Sequence, residues 1–407
     1  MAEKSQFQHR VKLSLLVLFC TLPSLFEGYA ILWGQRHGLV GKALRDGLDF
    51  WAGGFLLLHN QLPVLFDHTA YQAFLQGQFI GYKLPYHLWS YPPTYGLIAA
   101  AFAWLSPWHA VLAFDAVSLA LLAAMLRFAG KSWWFVASML LAPAALESAM
   151  EHQNAALMTA LLGGGLLLLG NRPRVSGVLI GLATIKPQLG LVLPLYLLRR
   201  APIAFMYAAL AAVVLAAASL RAFGPAAWAG FINFTSPVMS SVLLTGQPPE
   251  FAGGLISVFA MAKPFVGVHG ALLAQGAVSL AAVLAGLKTR SVPALLILSA
   301  LASPYLHDYD LLGAALATAL LVEERLQTGF APGEPVLYFL AWFGPGLLPW
   351  AAQYAHLAPV VLLLLLASAW RRGAVAPCDS LPAQPGSPAL SAGRSPTPVP
   401  PGSTALG

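Results

Sequence analysis

Apolar runs long enough to cross a bilayer recur along this chain, and no other feature restricts its fold as much. Ala204–Leu220 and Ala351–Trp370 are the clearest of them. A hydrocarbon core of roughly 30 Å takes about 20 apolar residues of helix. Backbone in lipid must satisfy its own hydrogen bonds, which leaves helices or closed barrels. Barrel strands would read as alternating segments of about 10 residues, whereas these runs are unbroken. Only 9% of the residues are charged and 58% are hydrophobic, against about 25% charged in soluble domains. Lipid is therefore the solvent, and the expected fold is all-α: a polytopic transmembrane helical bundle. The length allows on the order of 10–12 spans, some broken or half-length.

The charges that remain are informative because they are few. The net charge of +7 does not point to nucleic acid, since the basic residues sit in short clusters beside apolar runs, as cytoplasmic anchors do. Lys4, Arg10 and Lys12 precede the first run and Arg371 and Arg372 follow the last, which places both termini inside. Residues 1–12 read as a cytoplasmic N-terminus and 13–372 as the transmembrane domain. The Pro/Ser/Ala-rich stretch 373–407 cannot pack a core and reads as a disordered cytoplasmic tail. Residues 34–93 and about 221–250 read as outer loops, the first carrying short interfacial helices. Leu13–Ala30 has some features of a cleavable signal, but the run continues to Trp33 and is long enough to span. Cys20 and Cys378 fall in different environments, so neither a disulfide nor a metal site is expected.

Ionisable groups inside a membrane are costly, by roughly 2.5–3.5 kcal/mol each, and four sets stand out. Asp46 and Asp49 lie about one helical turn apart after the first run, where a carboxylate can act as general base toward a hydroxyl or simply cap a helix. Trp89-Ser90-Tyr91-Pro92-Pro93 reads first as a helix-starting device. Glu147, Glu151, His152, Gln153 and Asn154 separate two apolar runs. Lys186-Pro187-Gln188 interrupts the run 175–198, which has arginines at both ends. Two half-helices entering from the cytoplasmic face and meeting near Lys186 account for that pattern; the lysine then pairs with Glu147 or Glu151, or binds a phosphate. The fourth set is Ser303-Pro304-Tyr305-Leu306-His307-Asp308-Tyr309-Asp310, too rich in functional groups for a plain loop but weak as a metal pattern. No nucleotide-binding loop is present in the sequence, so an enzyme of this build takes an activated substrate that is itself a lipid.

At these residues the chain resembles glycosyltransferase family 87, integral membrane enzymes that use polyprenyl-phosphate-linked sugars and include a mannosyltransferase of phosphatidylinositol mannosides. The pieces stand in the family's order between about residues 13 and 325: Asp49-Phe50-Trp51, Leu65-Phe66-Asp67, Tyr91-Pro92-Pro93, Gln153-Asn154, Gly181–Gln188 and Ser303-Pro304-Tyr305. One departure is His152, where the family usually has Gly before Gln. The resemblance implies a GT-C-like fold in a bacterial inner membrane, with its active site facing the periplasm. It implies an inverting hexosyl transfer, with mannose the first guess, from a polyprenyl-phosphate donor to a lipid or glycan hydroxyl. Asp49 takes the role of base, with Asp46 second. Lys186 and His307 become candidates for the leaving phosphate, with Arg36 or Arg45 from the loop in reserve. Gln153, Asn154, Gln188, Asp308 and Asp310 become polar substrate contacts, and Trp51, Trp89 and Tyr91 aromatic ones. No cofactor is required, although a divalent metal would be compatible. The competing expectation is a transporter or flippase of a lipid-linked glycan, which also needs broken helices and intramembrane charge.

Overall fold

The structure is a computed structural model that describes residues 44, 46–80, 84–247, 254–347 and 356–373. The first apolar run, Arg36, Arg45, both cysteines and the tail from 374 lie outside the described residues. The described chain is helical, with a single isolated bridge between Leu255 and His307 in place of any strand.

Among the described residues, three helices are long and apolar enough to cross a membrane alone: α5 (Pro107–Phe128), the run Pro202–Thr245, and α13 (Val258–Gly286). A fourth crossing is available to α6 (Trp133–Leu140) and α7 (Pro143–Met150), a pair bent by 47°. The remaining apolar helices are shorter: α8 (Ala155–Leu168), α9 (Pro173–Leu182), α10 (Leu193–Arg200), α14 (Val292–Ala302), α15 (Leu312–Thr328), α16 (Glu334–Leu347) and α17 (Ala358–Gly373). Among the described residues, then, full-length spans are fewer than half-length apolar helices. The short ones are tolerable because protein surrounds them: every residue of α8 except Leu167 is buried, as are Ala294–Ala302 of α14. The long helices differ. Within Pro202–Thr245 only 11% of the most apolar window is buried, and a helix that is apolar all round yet uncovered needs lipid against it.

Residues 221–245, read from sequence as part of a polar loop, are helical. The helix α11 (Pro202–Gly230) runs through a kink at Gly224 (φ 75°), and Pro225 restarts it. A π-turn at Phe231–Thr235 then leads into α12 (Ser236–Thr245). Glycine takes the left-handed turn without strain, and proline suits the first turn of a helix. The pair that reads as a breaker therefore bends the helix and lets it continue.

The segment around Lys186 reverses the chain. Gly177 and Gly181 of α9 face the carbonyls of Ala204 and Ala208 of α11, so the two helices run parallel and start from the same end of the bundle. A Cβ on either glycine would stand 2.3 Å from the facing oxygen, so only glycine permits this contact; small residues four apart serve this purpose widely in membranes. Between α9 and α11 the chain passes through 3₁₀ turns at Ala183–Ile185 and Pro187–Gly190 and returns as α10. Lys186 sits at the tip of this re-entrant hairpin.

Four short helices cover one end of the bundle: α1 (Gly47–Leu58), α2 (Leu62–Leu65), α3 (His68–Gln78) and α4 (Pro93–Phe102). Phe50 packs on Tyr95 and Phe102 within this layer and joins it to the bundle through Phe114 of α5. Charge divides between the two ends. At the covered end lie Asp46, Asp49, Glu151 and Asp308, which share one cavity. At the other, Lys131 pairs with Glu323 at 2.5 Å, Arg200 donates to the carbonyl of Leu287 at 2.8 Å, and Arg325 is held by Glu334 and the carbonyl of Ser368.

Candidate active site

A cavity of about 200 Å³ opens beneath the short-helix layer, lined by acids, tyrosines and one imidazole: Asp46, Asp49, Glu151, Tyr91, Tyr305, His307, Asp308 and Tyr309 among them. Each wall comes from a different stretch of sequence.

Asp46 and Asp49 enter at the first turn of α1. Asp49 is 4% exposed, yet it reaches the cavity wall. Its Oδ1 accepts from the Tyr71 hydroxyl at 2.9 Å and its Oδ2 from His87 Nδ1 at 3.1 Å. Tyr71 belongs to α3, whereas His87 lies on the extended segment 84–92. Gln72 ties the two together, its side-chain carbonyl accepting from the His87 amide and its Nε2 donating to the carbonyl of Pro85. Burial works against protonating His87, but Asp49 and, further off, Asp46 outweigh it and raise the imidazole above its ordinary value. The Tyr71 phenol is pushed well up by burial and then by Asp49, so it stays protonated and donates. Neither Tyr71 nor His87 was singled out from the sequence. The extra histidines and tyrosines of the 34–93 stretch were the only signal available there.

Asp46 is held from the opposite wall. Gln153 Nε2 donates to its Oδ2 at 2.5 Å, and the Tyr91 hydroxyl donates to Gln153 Oε1 at 3.1 Å. The turn that presents Gln153 contains His152 at φ 54°. That left-handed conformation is cheap for glycine and costs other residues of order 1–2 kcal/mol, so the Gly that the resemblance leads one to expect here would fit the turn without strain. Here His152 Nδ1 pairs with Asp115 of α5 at 2.6 Å, an interaction glycine cannot make.

The third wall is the turn before α15. His307 and Tyr309 stack with rings 4.9 Å apart and nearly parallel. Their backbone is fixed from both sides: the Asp308 amide donates to the carbonyl of Gly254 at 3.1 Å, and the Ile256 amide to that of Leu306 at 2.9 Å. Gly254 lies so close that a Cβ there would stand 3.1 Å from both His307 Nδ1 and Asp308 Oδ1.

Lys186 stands behind this wall, outside the set that lines the cavity. Its Nζ pairs with Asp310 Oδ1 at 2.5 Å, donates to Asn154 Oδ1 at 3.3 Å and lies over the Tyr309 ring. The partner is thus Asp310, not Glu147 or Glu151. The hairpin tip reaches the α7–α8 junction at Asn154, while the carboxylate it meets comes from the turn before α15. Asp310 also accepts from the His307 amide through Oδ2 at 3.3 Å. Asn154, Lys186 and Asp310 therefore converge, although 124 residues separate the ion pair in sequence.

Other candidates are placed elsewhere. Trp51 is buried against Phe55 and Phe74, with Nε1 donating to the carbonyl of Leu105. Trp89 is buried and packs beside Tyr91 and Tyr95. Both serve the core, because a large aromatic at the junction of short helices is what fills the gap between them. Gln188 does not line the cavity, and Arg36 and Arg45 lie outside the described residues. No group of three or more potential metal ligands occurs among the described residues.

A lipid-facing helical bundle with a small, acid- and tyrosine-rich cavity under a short-helix layer is the build of a membrane enzyme for polar substrates. The profile of glycosyltransferase family 87 matches residues 89–322, more than half of the chain, and the chain belongs to that family. It is a membrane glycosyltransferase, acting on a sugar donor and an acceptor at the bilayer, and family membership favours this over the transporter. No curated protein and no solved structure matched the chain. The matched segment contains Gln153, Asn154, Lys186 and the 303–310 turn; Asp49, Tyr71 and His87 precede it.

Proposed function

We propose that the chain transfers a hexose, mannose first among the candidates, from a polyprenyl-phosphate donor to a hydroxyl of a lipid or glycan acceptor. Asp49 is the general base. It removes the acceptor's proton as that oxygen bonds to the anomeric carbon from the face opposite the phosphate. The bond from the anomeric carbon to the phosphate oxygen breaks, polyprenyl phosphate departs, and the configuration inverts. The observation that carries this reading is the Asp49 carboxylate, which is buried, on the cavity wall and bonded through both oxygens to side chains of the outer layer. Each oxygen keeps a second lone-pair direction for the incoming hydroxyl.

His307 is assigned to the leaving-group side because it lines the cavity. Lys186 is given a supporting part because its ammonium is already engaged by Asp310. Arg36 and Arg45 remain assigned as phosphate contacts. The cavity is taken to face the periplasm of a bacterial inner membrane, since the opposite end carries Lys131, Arg200 and Arg325 and basic ends stay cytoplasmic.

The test is transfer of label from polyprenyl-phosphate mannose in membranes containing wild type or Asp49→Asn. Transfer by wild type, reduced at least 1000-fold in the variant, supports donor and base together. Equal transfer by both shifts the base to Asp46. No transfer from mannose alongside transfer from another polyprenyl-phosphate sugar corrects the sugar.

A further inference from the structure

We propose that Tyr71 and His87 are positioning residues that hold Asp49 in its reactive orientation, acting as a two-point clamp supplied by the outer helical layer. The inference rests on Asp49 being the base.

A carboxylate rotates readily about its terminal torsion, whose profile is broad. Inside a protein it holds one orientation only if its partners fix it. Here two donors approach from different elements, and each takes a different oxygen. Tyr71 is fully buried and His87 2% exposed, so water does not compete for either bond. The clamp is itself braced: Gln72 bonds the His87 segment to α3, and Tyr86 stacks on His68 at 4.2 Å. His87 Nε2 has no partner among the described residues, so the bond to Asp49 is what orients the ring. Neither residue lines the cavity. They act on the reaction through Asp49, as the third member of a triad acts through the histidine it orients. The charged groups that bear on His87 are Asp49 and Asp46 of the α1 region.

Two experiments on the full-length chain test this. In the first, histidine ring titration is followed by NMR in detergent, and the His87 signal is identified by its loss in His87→Asn. Asp49→Asn should shift that titration to lower pH. An unchanged titration overturns the clamp, whatever substrate the enzyme uses.

The second experiment compares variants on whichever donor supports wild-type transfer. His87→Ala and Tyr71→Phe should lower kcat by 10- to 100-fold while KM for donor and acceptor stays within twofold. Asn carries an amide nitrogen near the place of Nδ1 and should restore most of the loss, whereas Gln, one carbon longer, should not. A rise in KM alone would make His87 a substrate contact, and unchanged kinetics in His87→Ala and Tyr71→Phe would remove the positioning role. Should Asp49→Asn retain transfer, the base assignment fails, and the titration still decides whether the clamp exists.

Discussion

Replacing Lys186 with Met leaves Asp310 as a buried carboxylate without its cation. In the folded protein the Asp310 side chain has no exposed surface and that of Lys186 is 5% exposed, so water cannot take over. Breaking a buried pair by removing one partner costs about 3–5 kcal/mol, chiefly through the charge left behind. Asp310 would keep its bond from the His307 amide, which places the expected loss toward the lower end of that range, about 3 kcal/mol. Each kcal/mol moves the midpoint of a chain this long by roughly 1–2 °C, extending the trend for domains of 150–250 residues. Lys186→Met should therefore unfold about 3–6 °C below wild type. In Lys186→Met/Asp310→Asn the stranded charge is gone, and an amide oxygen can still accept from His307. The double variant should recover at least half of that loss. Tryptophan fluorescence during heating in detergent reads wild type, the double variant and both single variants, Lys186→Met and Asp310→Asn. A single variant within 1 °C of wild type, or a double variant that loses the sum of both singles, would refute the reasoning, because uncoupled losses mean that the two charges do not depend on each other.

Three further outcomes follow from the geometry. Gly177→Val should give little folded protein by detergent size-exclusion chromatography, since its Cβ would lie 2.3 Å from the Ala204 oxygen; Gly170→Ala, with open space around it, should behave as wild type. His152→Gly should melt within about 2 °C of wild type, trading the pair with Asp115 for relief of a strain of roughly 1–2 kcal/mol. His152→Ala keeps the strain and loses the pair, so it should melt lower than His152→Gly, and equal midpoints would refute the account of this turn. His87 is raised above its ordinary value, about 6.5, so its stabilisation is complete below about pH 6.5 and is lost as pH rises through the folded-state value. The protection of α3 amides, taken relative to their intrinsic exchange at each pH, should fall over that upper range in wild type and stay flat in His87→Asn.

The fold class was legible because membrane helices declare themselves by length and composition. The re-entrant hairpin was legible too, since arginines at both ends of one apolar run, with Lys186-Pro187 between them, leave few other paths for the chain. Legibility stopped where tertiary placement decides. The α8 sequence is as apolar as that of α11, yet one is enclosed by protein and the other faces outward. Pairing Lys186 with Glu147 or Glu151 was reasonable by proximity along the chain, but burial favours whichever carboxylate the fold brings to the hairpin tip. Trp51 and Trp89 were expected at sugar because aromatics near a membrane surface serve both packing and binding, and sequence does not separate the two. Tyr71 and His87 carry no mark in the sequence, because their role lies in a contact across 22 and 38 residues with no characteristic spacing.

The placement of Asp49 outside the segment that matches the family profile has a structural counterpart. The bundle from residue 89 onward supplies Gln153, His307 and Tyr309, locked together behind the wall by Lys186, Asn154 and Asp310. Lys186 and Asp310 satisfy each other, so a change in either leaves its partner unpaired in a low-dielectric interior. The outer layer supplies the proposed base with its own bracket, and the bond from Gln153 to Asp46 crosses between the two parts. Substitutions in α1–α3 break none of the hydrogen bonds that Lys186, Asn154 and Asp310 make with one another, whereas Tyr95 of α4 bonds Asn154 and ties that helix to the buried lysine network.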